Sequence, residues 1–310
     1  MTKVKSNITP DTILKNFWKD NNRFADLFNA CFFDGNPELN PDDLTEVDTD
    51  ISSLLQFHGY AETVKKIVDV VKKSAYGVDF VILGIENQAK IHYAMPLRHM
   101  LGDAFSYLKE YNEIAKKYKD EKPHGTPDEF LSKMKKTDRL HSVLTICIYY
   151  GETPWDGPRS LIDMLEIPDA FKPLISDYKF NLIELRNSEH LKFHNDDVDK
   201  IFNISRFIFD EKYDKITDIF KEENISSELA MVIGCITESQ KLINTAVNAQ
   251  QEGGNVNMCK ALEKLEEKGR QEGELKTKLK LIIKKIHKNK SFDQIVDELE
   301  EDADVVQPLY

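Results

Sequence analysis

The chain predicts an α/β protein, with a mixed central sheet flanked by helices and a helical C-terminal extension. Three observations predict it. The run His141–Gly151 is apolar on both faces, as a central strand of a covered sheet would be. Two further β-type runs, Ile67–Val71 and Val78–Ile85, flank a turn-like Ser74–Gly77 and read as a hairpin. From about Asp196 onward the apolar spacing is helical, interrupted only near Gly253-Gly254-Asn255.

The elements follow in order. Thr9-Pro10-Asp11 starts a helix whose stripe is Ile13, Leu14, Phe17 and Trp18. The run Phe24–Phe33 keeps helical spacing until the breaker cluster Asp34–Pro37. Residues Asn36–Gly59 are polar and acidic, which predicts loop with short helical pieces. After the hairpin, Tyr93 to about Lys119 reads as a long helix opened by Pro96, and Lys119–Asp128 as a connector. The central strand ends at Gly151, Pro154, Gly157 and Pro158, and a short helix follows at Leu161–Leu165. Tyr178–Leu185 is a second short strand candidate, and a helix near Ser291 opens with a capping box to Gln294. These elements divide the chain into an α/β domain at 1–215, a helical extension at 216–260 and a charged helical tail at 261–310.

The composition bounds the function. With 310 residues, 41% hydrophobic and 31% charged, the chain can bury a core, so wholesale disorder is excluded. Its apolar runs are too short to span a bilayer, and the N-terminus lacks the apolar core of a secretory signal. A cytoplasmic protein without membrane partners is expected. Cys31, Cys147, Cys235 and Cys259 lie far apart, which points to neither a zinc site nor a disulfide framework. The net charge of −12 speaks against nucleic acid at first sight. It is unevenly spread, however: residues 60–140 carry fifteen basic and twelve acidic side chains, a local +3. The tail is blocky, with seven lysines and no acid from Lys276 to Lys290, then seven acids and no base from Asp293 to Asp304.

The chemistry concentrates at the hairpin. Asp69 stands inside one apolar strand, and Glu86-Asn87-Gln88 ends the next. Acids inside apolar strands are costly to bury alone, but two that converge can hold a hard divalent cation. If Lys73 pairs with Val78, paired positions sum to 151 and Asp69 sits opposite Ile82. Ile82, Gly84, Glu86 and Gln88 share that face, so Asp69 faces the Glu86 side, four positions off.

An Asp in one strand and a Glu-x-Lys in the next are the signature of PD-(D/E)XK nucleases. The Gln variant followed by a Met-Pro-x-Arg helix start resembles the Rpn family of recombination-promoting nucleases and transposase-like proteins. The matching stretches are Ile67–Val71, Ile85–Ala89, Met95–Arg98, Ile148–Trp155 and, in the tail, Gly269–Gly273. The resemblance implies a restriction-endonuclease-like core acting in DNA recombination, with DNA as partner and Mg²⁺ or Mn²⁺ as cofactor. It implies that Asp69 and Glu86 ligate the metal and that Gln88 orients a water by hydrogen bonds, where the commoner Lys would act by charge. Lys90, of the same strand parity, could supply the missing charge, and Asp26 could complete the acidic set. Arg98 either binds a phosphate oxygen or pairs with Glu86 or Asp103. Tyr149, Tyr150 and Trp155 read as core and turn packing, and His92, His99 and His141 as structural. The alternative to a nuclease of low activity is a non-catalytic DNA-binding or assembly protein that keeps the fold. The C-terminal helices are the expected route to a homo-oligomer.

Overall fold

The computed structural model describes residues 9–47, 70–83, 91–121, 125–220, 223–257, 261, 277–288, 290–299, 303–307 and 310. The chain divides into two compact units, residues 1–212 with 228–243, and residues 213–227 with 244–310.

The first unit is α/β. Helix α1 (Pro10–Trp18) opens on Thr9, whose side chain accepts from the Thr12 N–H, and α2 (Asn21–Phe32) opens on Asp20. A two-residue strand β1 (Thr45–Glu46) follows, and then the hairpin of β2 (Val70–Ala75) and β3 (Val78–Leu83). Helix α3 (Met95–Glu121) leads through the short α4 (Pro127–Ser132) to β4 (Ser142–Tyr149) and β5 (Asn181–Glu184). The sheet runs in the order β1-β2-β3-β4-β5. Its first two junctions are antiparallel and its last two parallel, so the sheet is mixed, with α3 lying on the connection between parallel neighbours β3 and β4.

Each face of this sheet is covered, which is why β4 is apolar on both sides. On one face Phe28 of α2 meets Phe80 of β3 edge-on at 5.3 Å and stacks on Phe24 at 4.8 Å. On the other, Met95 at the start of α3 packs with Cys147, Tyr149, Trp155 and Phe180 in one buried cluster. Helix α5 (Asp196–Phe209), capped by Asn195, joins the first face and buries Val198, Ile201, Phe202 and Ile204. An Arg23–Asp197 ion pair of 2.7 Å ties α2 to α5.

Several expectations shift. The hairpin turn is two residues, Tyr76 and Gly77, not the four of Ser74–Gly77. Both have positive φ (56° and 72°), the pair of left-handed conformations that lets a chain reverse in two residues while matching the strand twist. Ala75 therefore pairs with Val78, and paired positions sum to 153 rather than 151. The short helix expected at Leu161–Leu165 is a single 3₁₀ turn, Ile162–Met164, and the strand expected at Tyr178–Leu185 contracts to β5. Residues 36–47 hold a 3₁₀ turn at Pro41–Asp43 and the unforeseen β1, and the rest of the stretch expected as loop lies outside the described residues.

The second unit contains α6 (Tyr213–Phe220) and two three-residue strands, β6 (Asn224–Ser226) and β7 (Asn255–Asn257), paired antiparallel. Neither strand was foreseen in a stretch that reads as purely helical. Between β6 and β7 the chain runs through α7 (Ser227–Ile236) and α8 (Gln240–Glu252). The Gly253-Gly254 pair, at φ 123° and 109°, turns the chain after α8 into β7. Beyond it lie a helix α9 over residues 277–286, then α10 (Phe292–Leu299) and α11 (Ala303–Val306).

Candidate functional site

Asp69, Glu86, Gln88 and Lys90 lie outside the described residues, as do Ile85–Ala89 and Gly269–Gly273. What is described is the scaffold leading to them from both sides: the hairpin ladder from Val70 to Leu83, and the start of α3.

Two segments that carry the resemblance meet in this scaffold. Met95 is 2% exposed and packs on Cys147, Tyr149 and Trp155. Tyr149 and Trp155 meet edge-on at 5.2 Å. Strand alternation sends Tyr149 toward α3 and Tyr150 toward α1, where its hydroxyl accepts from Trp18 Nε1 at 3.1 Å. Gly151 is needed because a Cβ there would come within 2.1 Å of the Tyr149 ring. The Trp155 amide donates to Glu184 Oε2 at 3.0 Å and its indole to the Gly157 carbonyl at 2.9 Å. Tyr149, Tyr150 and Trp155 are thus packing groups, as the sequence suggests.

Arg98 is half-buried near the start of α3. Its charge reaches the Cys147 thiol, whose pKa burial raises and Arg98 lowers in part. It also adds to the burial that lowers the pKa of His92. His99, one residue on, is 2% exposed, and His141 is exposed beside Glu110.

Asp26 lies on α2 in the first unit. Phe24 and Phe28 turn one side of α2 to the sheet, and Asp26 accepts the His194 backbone N–H at 2.9 Å through Oδ1. It lines a cleft of about 380 Å³ with Asn22, Asn29, His194 and Asn195. Asn29 there mimics a backbone, exchanging two hydrogen bonds with Leu39.

A second cleft, of about 320 Å³, opens beyond the C-terminal ends of β4 and β5, where open α/β sheets commonly bind ligands. Tyr149, Gly151, Thr153, Glu184, Arg186 and Asp210 line it. Arg186 donates to Asp210 at 2.7 Å and to the Glu152 carbonyl. Lys212 and Arg186 together hold the Asp210 carboxyl below the ordinary range. Sequence reasoning missed this cleft, because Glu184 and Arg186 at the end of β5 meet Asp210 from the far end of α5.

Sequence reasoning also missed the buried polar groups on either side of the sheet. Lys73 of β2 is 1% exposed, and its Nζ donates to the Lys19 carbonyl and to Asn21 Oδ1. On the α3 side, Asp103 accepts from Thr145 Oγ1 at 2.6 Å and from the Tyr178 hydroxyl. Burial first, and then the Asp103 bond, push the Tyr178 phenol upward.

Among the described residues no three His, Cys, Asp or Glu side chains gather as a metal-holding group, and no helix is long and apolar enough to cross a membrane. Compared with protein-family models, with curated proteins and with solved structures, the chain finds no match.

Proposed function

We propose that the chain is a metal-dependent DNA endonuclease of the PD-(D/E)XK type, related to the recombination-promoting nucleases, with Asp69, Glu86 and Gln88 at its centre. The observation that carries this reading is the hairpin register. The described ladder closes on the Val70–Leu83 pair, and in the sequence Asp69 adjoins Val70 while Glu86 follows Leu83 by three residues. Further support comes from the packing of Met95 against Tyr149 and Trp155, which joins two of the segments that carry the resemblance.

The donor set suits the cofactor by its chemistry. Two carboxylates are hard oxygen ligands of the kind Mg²⁺ or Mn²⁺ takes. When bound, such an ion lowers the pKa of an attacking water and neutralises charge on the scissile phosphate. The chain's own residues would divide the rest. Asp69 and Glu86 hold the ion, Gln88 orients the water by hydrogen bonding, and Lys90 and Arg98 bring positive charge toward the phosphate. Asp26, which holds the His194 amide, is not needed as a ligand in this scheme.

Incubation of the purified protein with supercoiled plasmid and Mg²⁺ tests the reading. Nicking that disappears in Asp69→Ala and in Glu86→Ala is expected. Nicking that survives Asp69→Ala overturns the assignment. One observation favours a second reading, a DNA-binding or assembly protein without turnover: Gln88 stands where the commoner pattern has a charged Lys. That reading predicts salt-sensitive DNA binding and no cleavage with any divalent metal.

A further inference from the structure

The second unit brings the two charge blocks of the tail together. Helix α9 and α10 share an apolar cluster of Ile282, Ile295 and Val306, with Ile286, Phe292, Val296 and Leu299 packed on it. Ser291 opens α10 with a reciprocal cap: its N–H donates to Gln294 Oε1 at 3.0 Å, and the Gln294 N–H returns to Ser291 Oγ at 3.4 Å. This fold-back aims Glu298 at the lysine block. Lys285 donates to one of its carboxylate oxygens and Lys290 to the other. The two ammonium groups, Lys285 first, hold that carboxyl down at about 2.

Away from Glu298 the helix is differently used. Lys280 and Lys284 lie one turn apart and are exposed, and the exposed Lys288 continues the row just past the helix. None of the three makes an ion pair among the described residues. Side chains four apart on a helix stand roughly 5–6 Å from one another, so Lys280 and Lys284 are closely spaced cations, and Lys288 follows in the turn that ends the helix. The partner that rewards such a line most is a polyanion, because neutralising successive phosphates releases condensed counterions. A lipid surface fits less well. A helix lying in a bilayer buries one continuous apolar face; here the Ile282 face is taken by α10 and α11, and the exposed Leu279, Leu281 and Ile283 are divided between the two sides of the lysine row.

We propose that the lysine row of α9 grips the phosphate backbone of duplex DNA, and that Glu298 limits this grip by holding Lys285 and Lys290 within the chain. The inference rests on DNA being the substrate. It makes the tail a source of affinity separate from the cleavage centre, with part of its charge neutralised in cis.

The test measures binding of the full-length protein to a short labelled duplex by fluorescence anisotropy, in EDTA, between about 50 and 200 mM salt. Replacing Lys280, Lys284 and Lys288 by Gln is expected to weaken binding and to flatten the log–log salt slope by about 2.7. Glu298→Gln frees two lysines, so binding tightens and the slope steepens by up to about 1.8. Asp297→Asn, which removes the same charge from an exposed neighbour on α10, leaves the slope unchanged. The proposal is overturned if the triple variant keeps the parental slope, or if Glu298→Gln and Asp297→Asn behave alike. It is also overturned if the triple substitution abolishes binding to phosphatidylserine vesicles or self-association while duplex binding stays intact. Parallel plasmid nicking separates this inference from the nuclease reading. Nicking with an unchanged triple-variant slope overturns only the tail's role, whereas lysine-dependent binding without nicking overturns only the nuclease.

Discussion

The two faces of the central sheet each bury an ionisable side chain, and they treat it in opposite ways. On the α1–α2 face Lys73 is 1% exposed, and its ammonium reaches the Lys19 carbonyl, Asn21 Oδ1 and, at 5.3 Å, the Phe24 ring. On the α3 face His99 is 2% exposed, yet neither ring nitrogen has a hydrogen-bond partner among the described residues. It sits edge-on against Tyr178 and Phe180 at 5.7 and 5.8 Å. The polar partners on that face go instead to Asp103, one turn further along α3, which takes the hydroxyls of Thr145 and Tyr178. Burial lowers the pKa of both Lys73 and His99. The difference lies in what each charge would meet. Lys73 finds three groups that stabilise a cation, whereas a proton on His99 would gain only the nearby Asp103 charge and the Thr145 backbone. Lys73 is thus a latch joining the hairpin to the α1–α2 junction, and His99 is an aromatic filler that happens to carry nitrogens.

Removing the latch is the largest way to test the contrast. Lys73→Ala takes their donor from the part-buried Lys19 carbonyl and Asn21 amide oxygen and deletes a long packed stem. A loss of about 2–4 kcal/mol is expected, read from the urea midpoint at constant m. Lys73→Met, which keeps most of the stem, should lose about half as much. A loss for Lys73→Ala below about 0.5 kcal/mol would mean that the latch carries no stability. On the other face, Asp103→Ala strands the buried Thr145 hydroxyl and the part-buried Tyr178 hydroxyl and should cost about 1–3 kcal/mol, with Asp103→Asn milder because its amide oxygen still accepts from one of them. If Asp103→Ala proved costlier than Lys73→Ala, the assignment of the latch to the α1–α2 face would be reversed.

The same contrast marks where the sequence is legible. Strand β4 shows in the pattern because both its faces are covered, so its apolar run is unbroken from Ile146 to Tyr149. Helices α1, α2 and α5 show because each turns one apolar stripe inward and carries a side-chain cap. β1, β6 and β7 do not, since two or three residues are too few to display a period of two. The hairpin is visible, but its turn is not. Tyr76 takes a φ of 56°, a conformation that its type does not advertise, and the register moves by two as a result. Asp69, Glu86 and Gln88 are legible only as a motif, through their order and parity. Lys73 and Asp103 are hidden for another reason: a buried polar side chain is explained by its partners, and Lys19, Asn21, Thr145 and Tyr178 come from elsewhere in the chain.

His99 offers the smallest effect and the sharpest test of the contrast. A histidine whose folded pKa lies below its unfolded value contributes stability that is fully present above the unfolded pKa, near 6.5, and is lost as pH falls below it. The unfolded chain takes up the proton that the folded chain refuses. Replacing His99 by Phe removes that acid-side loss, and it also removes two buried nitrogens that have no partners among the described residues. At pH 7 the variant should therefore fall within about 1 kcal/mol of the parent, or be more stable, because an apolar group of similar shape meets the rings of Tyr178 and Phe180 equally well. Between pH 7 and 5 its melting temperature should fall less than the parent's. A His99→Phe variant that is destabilised at pH 7 by more than about 2 kcal/mol would show that the imidazole holds a hydrogen bond essential to the fold. The two faces would then be alike, each pinned by a bonded polar side chain.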